Sequence, residues 1–362
     1  PRLPQSIGMD RAHRWMCPAI RTGESAVSQE SLNRRSLLRM GGAGLAAAGL
    51  ANFASAPTAS AAVGTGDTFM AFKAGTGSQQ VWWSNLVNGG GSWSGRQPVP
   101  NALSSGGVAL AGPVGGPLFM TWKGIEGDER IWWSTFDGGT WSGPQPVPGA
   151  LSTVGPALAP YAGVFMAWKG GSGDQRIWWN SFYGGRWTGA QVVPTANTSF
   201  GPALAIRKIG YGEPYMAWKG VDGDQQIWWN TYQGGSTGQN TWTGAQPVPG
   251  ALTSAGVALA APPGGGVHMA WKGGAGDQRI WFSQAYAGSP TAWTTPQVVP
   301  SANTSTGPAL TVYGSSTYMT WKGVDGDEQI WWSLFNGSGW TGPQPVVGDY
   351  TTFRPALAAV GS

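Results

Sequence analysis

The chain of 362 residues has few of the side chains on which most catalytic and metal sites depend. It contains one cysteine, Cys17, and two histidines, so an intramolecular disulfide cannot form and a zinc site is not expected. Charged residues make up only 10% of the chain, and no apolar run has the length or the 3.6-residue spacing of a helix. A helical fold and thiolate chemistry are therefore not predicted.

Residues 1–61 are predicted to be an export leader that is separate from the folded domain. Paired arginines, Arg34 and Arg35, precede an apolar stretch at residues 41–53. This stretch is too short and too rich in glycine and alanine for a membrane anchor. The arrangement is typical of a twin-arginine export signal, so we expect a secreted protein.

An A-x-A sequence from Ala59 to Ala61 ends the leader and predicts cleavage near Ala61. The leader holds seven of the 21 Lys and Arg residues and three of the 17 Asp and Glu residues, which leaves 14 of each sign in residues 62–362. That part is formally neutral, so the net charge of +4 for the whole chain does not indicate a nucleic-acid or membrane partner. We expect residues 62–362 to form a single domain.

Near copies of one unit of 46 to 53 residues fill the chain after residue 63. Each copy has an M-x-[F/W]-K tetrapeptide, an aromatic pair, a single tryptophan and a small apolar run that ends in Ala-Leu. The six tetrapeptides begin at Met70, Met120, Met166, Met216, Met269 and Met319. A repeat of this period is typical of solenoids, arrays and propellers.

Each unit contains four short runs rich in Trp, Val, Ile, Leu and Ala, separated by turn-forming residues, which predicts four strands. Six such units predict an all-β, six-bladed β-propeller with four antiparallel strands per blade. The first unit lacks an Ala-Leu run before its first strand, whereas the last unit is followed by residues 354–360. We expect this C-terminal strand to complete the first blade and close the ring, which hides two strand edges.

Candidates for catalysis and metal binding are sparse in residues 62–362. The single histidine there, His268, stands where the other units have Phe or Tyr, which predicts a packing role over a general base. Gly-Asp turns recur in five units, with Ser78 at this place in the first, but each offers fewer oxygens than calcium requires. These aspartates either hold the hairpin turn through backbone N–H bonds or line a binding pocket. No metal and no cofactor are expected.

The 22 tryptophans of residues 62–362 are the strongest functional signal. Most are expected to pack between blades, because large side chains fill such cores. If Trp122 lies opposite Ile131 across its hairpin, these two share an apolar face, and Trp132 lies on the other face beside the cations Lys123 and Arg130. The alternative for Trp132 and its equivalents is packing against small residues.

An aromatic plane beside cations, amides and acidic turns suits a sugar, because the ring meets the C–H face of a pyranose and the polar groups bond its hydroxyls. The first tryptophan of each aromatic pair and the charged residues near it are therefore the predicted carbohydrate contacts. They are Trp82, Trp132, Trp178, Trp228, Trp281, Trp331, Asp128, Asp174, Asp224, Asp277, Asp327, Arg130, Arg176 and Arg279.

A sialidase-like glycosidase is the enzymatic alternative, since residues 134–141 faintly resemble the Asp-box turn of that family. A glycosidase needs two carboxylates at a set separation across one bond. Here the charged residues repeat from unit to unit, and nothing marks a unique pair. The sequence therefore favours a protein that is not an enzyme.

The composite unit KGxxGDxxIWWS…WSGPQxVPGALTSxGPALA resembles the repeat of the PLL-type bacterial β-propeller lectins, with Trp132 and its equivalents matching the tryptophan of that family. The resemblance covers all six units, roughly residues 64–360. It implies a secreted lectin that binds fucose or methylated sugars at or between blades. The PLL-type repeats form seven blades, and they commonly have histidine where this chain has Trp133 and its equivalents.

Fungal fucose lectins are a second relative by pattern, and they share the six-fold repeat count. Their sugar is held by an arginine on the second strand and a glutamate on the third, where this chain has Phe119 and Trp133. That fucose site is therefore not expected here. The prediction is a monomeric propeller that binds glycans weakly at several sites, with a non-catalytic scaffold for protein partners as the main alternative.

Overall fold

The computed structural model describes residues 67–87, 89–207, 212–234, 241–286 and 289–360, without the side chains of 289–291. The predicted leader, with Arg34, Arg35, Ala59 and Ala61, lies outside these residues. Within them, the strands form six antiparallel sheets, and there is no helix that is long and apolar enough to cross a membrane. The predicted six-bladed, all-β propeller is confirmed.

Each blade begins with an innermost strand at the axis and ends with an outermost strand at the rim. Blades 3, 4 and 5 carry an additional short strand beside the third. Blade 1 contains β1 (Asp67–Lys73), β2 (Gln80–Val87) and β3 (Gln97–Leu103), with β27 (Ala356–Ala359) innermost, and blade 2 contains β4 (Val108–Ala111), β5 (Leu118–Lys123), β6 (Arg130–Phe136) and β7 (Gln145–Leu151). Blade 3 contains β8 (Ala157–Tyr161), β9 (Gly163–Lys169), β10 (Arg176–Tyr183), β11 (Arg186–Trp187) and β12 (Gln191–Asn197), and blade 4 contains β13 (Ala203–Arg207), β14 (Glu213–Lys219), β15 (Gln226–Gln233), β16 (Thr241–Trp242) and β17 (Gln246–Leu252). Blade 5 contains β18 (Val257–Ala260), β19 (Val267–Lys272), β20 (Arg279–Tyr286), β21 (Ser289–Trp293) and β22 (Gln297–Asn303), and blade 6 contains β23 (Ala309–Tyr313), β24 (Ser316–Lys322), β25 (Gln329–Phe335) and β26 (Gln344–Tyr350).

The ring is closed by the C-terminal strand, as the sequence predicted. Strand β27 pairs antiparallel with β1, and Leu357 lies opposite Met70. The N–H of Val360 adds a hydrogen bond to the carbonyl of Asp67, 3.0 Å long. Both ends of the propeller chain therefore share one sheet, and the inner edge of β1 is covered by β27.

The register of the central hairpins differs from the expectation. Trp122 lies opposite Trp132, and Lys123 lies opposite Ile131, so the predicted Trp122–Ile131 pair is wrong by one residue. The reason is the turn, where the N–H of Gly124 bonds to the carbonyl of Arg130 and closes a loop with an odd number of residues. Trp132 therefore shares a face with another large ring and not with a small residue.

Lys123 is also placed differently from the expectation, because it lies on the face away from Trp132. Its side chain is buried, and the ammonium donates to Ser105 Oγ at 2.7 Å and to the carbonyl of Ile125 at 3.1 Å. The equivalent lysines are buried with similar hydroxyl partners, for example Lys169 with Thr153 at 2.9 Å. These cations join the start of each blade to its central hairpin and are not available to a ligand.

The core consists of six clusters, each shared by two adjacent blades. The tryptophan of each M-x-W-K strand is almost completely buried there, as is Phe72 in the first blade. The single tryptophan of a blade packs edge-on against an aromatic ring of the preceding blade, as Trp187 does on Trp133 with 6.0 Å between ring centroids. Aromatic packing between blades therefore holds neighbouring blades together around the axis.

One end of the axis is narrow because of close backbone approach. A Cβ atom at Gly155 would lie 2.5 Å from the carbonyl oxygen of Gly107, and one at Gly201 would lie 2.5 Å from the carbonyl oxygen of Gly155. In the sixth unit Arg354 stands at this place, and its guanidinium donates to the carbonyl of Val257 at 2.8 Å. Burial lowers the pKa of Arg354 to about 10. This arginine therefore fills the end of the axial channel and bonds blades that lie across it.

Candidate binding sites at the blade seams

The first tryptophan of each aromatic pair lies at the seam with the preceding blade. All six indoles are half-buried, whereas the aromatic residues after them are buried in five of the six pairs. Trp132 packs at the border of the cluster that blades 1 and 2 share, which contains Trp122 and Val99. Because each ring keeps an exposed part, this row can contact a ligand. These residues are Trp82, Trp132, Trp178, Trp228, Trp281 and Trp331.

The aspartates of the Gly-Asp turns hold these indoles in place. Asp128 Oδ1 accepts the backbone N–H of Arg130 at 3.0 Å, and its Oδ2 accepts the indole N–H of Trp132 at 2.9 Å. The same pair of bonds recurs at Asp174, Asp224, Asp277 and Asp327. The structure thus shows the turn role that was one of the two expectations, and it adds an orienting role for the indole.

In blades 2, 3 and 5 an arginine donates two further hydrogen bonds to the carboxylate of the turn aspartate. Arg130 donates from Nε to Oδ1 of Asp128 at 2.8 Å and from Nη2 to Oδ2 at 3.1 Å. Together with the two N–H bonds above, these contacts use about four acceptor positions, which is the full capacity of a carboxylate. The arginine hydrogen bonds lower the pKa of Asp128 and of Asp174 to about 2, and they lower the pKa of Asp277 as well. These carboxylates have no free acceptor for a sugar hydroxyl.

The same arginines cover the indoles. The guanidinium carbon of Arg130 lies 4.7 Å from the ring centroid of Trp132, and Arg176 and Arg279 lie 4.9 Å and 5.0 Å from Trp178 and Trp281. Their side chains remain 54 to 56% exposed. The seam surface of these blades is therefore a charged plane stacked on an aromatic plane, with N–H groups directed to solvent.

Blades 1, 4 and 6 have glutamine in place of this arginine. The amide of Gln226 turns inward and donates to the carbonyls of Ile227, Val248 and Ala251 at 2.9, 2.9 and 3.3 Å. Gln80 and Gln329 make equivalent contacts. In the described part of the chain no cation stacks on Trp228 or Trp331, so these two indoles present an uncovered ring at the seam.

The glutamines fill a bulge of the outermost strand. In blade 4 the pairing steps from Gln226 opposite Leu252 to Trp228 opposite Pro247, so the outer strand bows out between them. A residue with positive φ lies in each bulge, a glycine in blades 2, 4 and 6 and Asn101, Thr195 or Ser301 in the others. A left-handed threonine is uncommon, since its branched side chain disfavours that region. The bulge places backbone carbonyls beside every seam.

Blade 1 departs from the pattern at the seam where the ring closes. Ser78 replaces the turn aspartate and accepts the N–H of Gln80 at 3.3 Å. The ring of Trp82 is covered by Arg96, whose guanidinium carbon lies 5.0 Å from the ring centroid. Arg96 directly precedes the outermost strand β3, whereas the arginines of blades 2, 3 and 5 lie two residues before their indoles. Nη1 of Arg96 lies 3.8 Å from Oδ1 of Asp349 in blade 6. This seam therefore holds charged residues that the other five lack.

A ring of bonds between neighbouring turns was missed by the sequence analysis. The residue after each turn aspartate, always Gln or Glu, accepts a backbone N–H from the turn of the next blade. Glu129 accepts that of Ser172 at 3.1 Å, and Glu328 accepts that of Thr76 at 3.0 Å across the closing seam. The other four links start from Gln79, Gln175, Gln225 and Gln278. The occurrence of only Gln or Glu at this position in all six units was the available sign of this role.

The turn tips also alternate between two types of blade. Blades 2, 4 and 6 have Ile125, Val221 or Val324 at the tip, whereas blades 1, 3 and 5 have glycine. A Cβ atom at Gly171 would lie 2.6 Å from Oε2 of Glu129, so a larger residue here would displace the carboxylate that reaches over this turn. The structural period is therefore two blades for the turns, although it is one blade for the core.

Other places in the fold are less suited to chemistry. His268 is buried between Phe282 and Phe335, its Nδ1 lies 2.8 Å from Thr317 Oγ1, and burial lowers its pKa to about 4. Its predicted packing role is what the structure shows. No three His, Cys, Asp or Glu side chains of the described residues come together as a metal site would require. Asp137, in the turn that resembles an Asp-box, bonds the N–H groups of Gly139 and Thr140.

The wide end of the axis holds a cavity of about 750 Å³. Its wall includes the leucines of the innermost strands, Leu110, Leu158, Leu204, Leu259, Leu310 and Leu357, together with Tyr161, Tyr183 and Thr311. The described residues of this wall carry no charged side chain, whereas the seams combine aromatic rings with charged groups. The six seams are the better candidate sites.

No protein-family model matches the chain, and no curated protein matches it. Solved structures share its fold. AofleA from Arthrobotrys oligospora is 11% identical, with 82% of this chain and 90% of that chain covered and a TM-score of 0.51. A variant of the lectin of Aleuria aurantia in complex with alpha-methyl-L-fucoside is 16% identical, with 80% and 99% covered and a TM-score of 0.52.

An enzyme shares the fold as well. The intramolecular trans-sialidase of Ruminococcus gnavus is 10% identical, with 74% of this chain and 89% of that chain covered and a TM-score of 0.51. At such identities the likeness shows the propeller fold and does not decide function. At the places where fungal fucose lectins have arginine and glutamate, Phe119 and Trp133 stack on each other with 6.1 Å between centroids. Function must therefore be argued from the seams.

Proposed function

We propose that this protein is an exported, multivalent carbohydrate-binding propeller related to the PLL-type lectins, with its sugar sites at the blade seams. The observation that carries the proposal is the row of six half-exposed indoles in equivalent places. Five of them are fixed by a hydrogen bond from the indole N–H to a turn aspartate. A ring that is already oriented loses little further freedom when a ligand stacks on it.

The two kinds of seam offer two kinds of contact. At Trp228 and Trp331 the uncovered ring can meet the C–H face of a pyranose directly. At Trp132, Trp178 and Trp281 the guanidinium plane covers the ring, and its exposed N–H groups can donate to sugar hydroxyls. The arginines and tryptophans are the proposed contacts, whereas the aspartates act by positioning both.

Repetition suits weak individual sites. When several sites on one molecule engage a polysaccharide or a glycan-coated surface, apparent affinity rises by about 10²–10⁴ over a single site. A rigid ring keeps the seams at fixed positions, so binding one glycan chain brings the next seam close to a neighbouring chain. The proposed partners are glycans with fucose or methylated sugars, and the proposed location is outside the cell.

Catalysis is not proposed, because the seam carboxylates of blades 2, 3 and 5 are saturated by their own turns. A glycosidase requires one carboxyl to act as an acid and another as a nucleophile or base. A pKa near 2 keeps Asp128 and Asp174 ionised and unable to donate a proton at neutral pH.

The test is glycan-array binding of the full chain, followed by substitution at the seams. We expect binding to a subset of glycans, and we expect the double variant Trp228→Ala, Trp331→Ala to bind more weakly while still folding cooperatively, with a lower thermal midpoint because the two indoles also pack at blade interfaces. Arg176→Ala should also weaken binding, whereas Arg186→Ala, which removes an equal charge from an exposed strand end of the same blade, should not. An array with no glycan above background would refute the proposal.

Export is tested separately by expression in a bacterium with a twin-arginine pathway. The protein is expected in the medium with a new N-terminus near residue 62, and replacement of Arg34 and Arg35 by lysine should retain it in the cytoplasm. Secretion of the double lysine variant at the same level would contradict the proposed route.

A further inference from the structure

Two residues break the repeat and meet at the seam between blades 6 and 1. Asp349 stands where the other five units have alanine, namely Ala102, Ala150, Ala196, Ala251 and Ala302. Arg96 stands where the others have proline or alanine, namely Pro144, Ala190, Ala245, Pro296 and Pro343. The fold places Arg96 Nη1 3.8 Å from Asp349 Oδ1, and Arg96 also donates to the carbonyl of Gly348. Both exceptions therefore belong to one seam.

The carboxylate of Asp349 has a buried but incompletely bonded position. The residue is 3% exposed, and its side chain accepts no hydrogen bond from the described part of the chain. Gln329 bonds only its backbone carbonyl, at 3.2 Å. An ionised carboxylate can accept about four hydrogen bonds, so this one keeps acceptor positions that the described side chains do not fill. Desolvation accordingly raises the pKa of Asp349 to about 6.

The surroundings of Asp349 are those of a ligand site. The guanidinium of Arg96 stacks over Trp82, and its side chain is 42% exposed, so its N–H groups can reach a ligand from solvent. Trp82 is half-buried, like the other indoles of its row. An acceptor, a donor and an aromatic plane are thus within reach of one small molecule at this seam.

We propose that the seam between blades 6 and 1 is a sixth sugar site with its own specificity, in which Asp349 and Arg96 recognise two adjacent hydroxyls of one sugar. This inference rests on the proposed function and deepens it. One hydroxyl donates to Asp349, its neighbour accepts from Arg96, and the C–H face of the sugar lies against Trp82.

Two substitutions that restore the repeat test this site. Asp349→Ala and Arg96→Ala each install a residue that other units already have at the same place, so both variants are expected to fold. Titration calorimetry of the full chain uses methyl α-L-fucoside and methyl α-D-mannoside, which carry adjacent hydroxyls, beside the glycan array. We expect the wild type to show one class of site that both variants lose, with affinity there falling at least about tenfold.

The possible outcomes separate the two proposals. If the wild type binds sugars and both variants bind the same sugars with the same stoichiometry and affinity, the closing-seam site is refuted and the general function stands. If no sugar or array glycan binds the wild type, the general function fails and the closing-seam site fails with it. Loss of binding at every seam in Asp349→Ala would show a structural effect and would also overturn the site-specific role.

Discussion

The blades with arginine and the blades with glutamine differ by one side chain at one strand position, yet their seams differ in charge and in exposure of the ring. Arg176 points outward, pairs with Asp174 and covers Trp178. Gln226, at the same place in blade 4, points inward and bonds three backbone carbonyls of its own bulge. The guanidinium of Arg176 stays solvated at the surface, whereas the shorter amide of Gln226 donates to backbone carbonyls inside the blade.

This comparison shows that one repeat can carry stability and recognition at the same position. In a glutamine blade the residue supports the outer strand, and the indole is left free. In an arginine blade the side chain lies at the surface and bonds the turn aspartate, so the carbonyls of the bulge receive no side-chain amide from this position. A propeller with both kinds of blade can therefore present two types of seam on one rigid ring.

The largest expected difference concerns stability. Gln226→Ala removes an amide that bonds three carbonyls and should lower the free energy of unfolding by about 1–3 kcal/mol. Arg176→Ala removes an exposed ion pair and should lower the free energy of unfolding much less. Urea unfolding followed by tryptophan fluorescence measures both. Equal losses in the two variants would abolish the distinction between the blades.

The closing seam sharpens the comparison through pH. Burial raises the pKa of Asp349 to about 6, above its ordinary value near 3.8, so the folded state favours the protonated carboxyl. Its contribution to stability is present below pH 4 and is lost as the pH rises through 6. Asp349→Ala should thus be more stable than the wild type at pH 8, by about 1–2 kcal/mol, and lose this advantage at pH 4.

The quantity to measure is the difference in unfolding free energy between Asp349→Ala and the wild type. His268 has a lowered pKa and affects the pH dependence of stability in the opposite direction, but it does so equally in both proteins. Thermal unfolding at pH 4, 6 and 8 gives this difference directly. A constant offset between variant and wild type across that range would show that the carboxyl does not titrate in this way.

A smaller effect is expected in acid for the arginine blades. Their hydrogen bonds lower the pKa of Asp128 and Asp174 to about 2, so these carboxylates stabilise the fold above about pH 4 and lose that contribution as the pH falls through 2. Replacing Arg130, Arg176 and Arg279 by glutamine should flatten the decline in stability between pH 4 and pH 2. Guanidinium titrations at pH 5 and pH 2.5 test this, and an unchanged decline would assign acid sensitivity to other groups.

The smallest effect is local and concerns the ring itself. Arg176→Gln should uncover Trp178 and change its environment without a measurable loss of stability. Fluorine NMR of protein containing 5-fluorotryptophan, with the resonance assigned through Trp178→Phe, reports on that ring. The control is Arg186→Gln in the same blade, which should leave the resonance in place. A shift of equal size in both variants would mean that Arg176 does not cover the ring in solution.

The fold could be predicted because its information is local and repeated. Each hairpin is a short pair of apolar runs around a turn, and six copies with a spare C-terminal strand favour a closed ring. The register was missed by one residue because the count of loop residues depends on the bond from Gly124 N–H to the Arg130 carbonyl. The row of leading tryptophans was predicted as a set of carbohydrate contacts, which stays a prediction, and the face predicted for Trp132 was wrong.

The seam contacts could not be predicted because they join different units. Nothing in the segment around Gln329 shows that its amide turns inward, and nothing around Arg96 shows that Asp349 lies beside it. The link from Glu328 to Thr76 joins residues that are 252 positions apart in the sequence, across the seam between blades 6 and 1. Such contacts depend on which blades become neighbours, and that follows from packing large aromatic rings across each interface.

By itself the sequence determined the blade, the number of blades and the strand that closes them, because hydrogen-bonded hairpins and alternating burial are written into consecutive residues. The tertiary structure alone decided which side of each indole faces water, which aspartates are saturated and where the two residues that break the repeat meet. These features arise from side chains of adjacent blades that become neighbours only when the ring is complete.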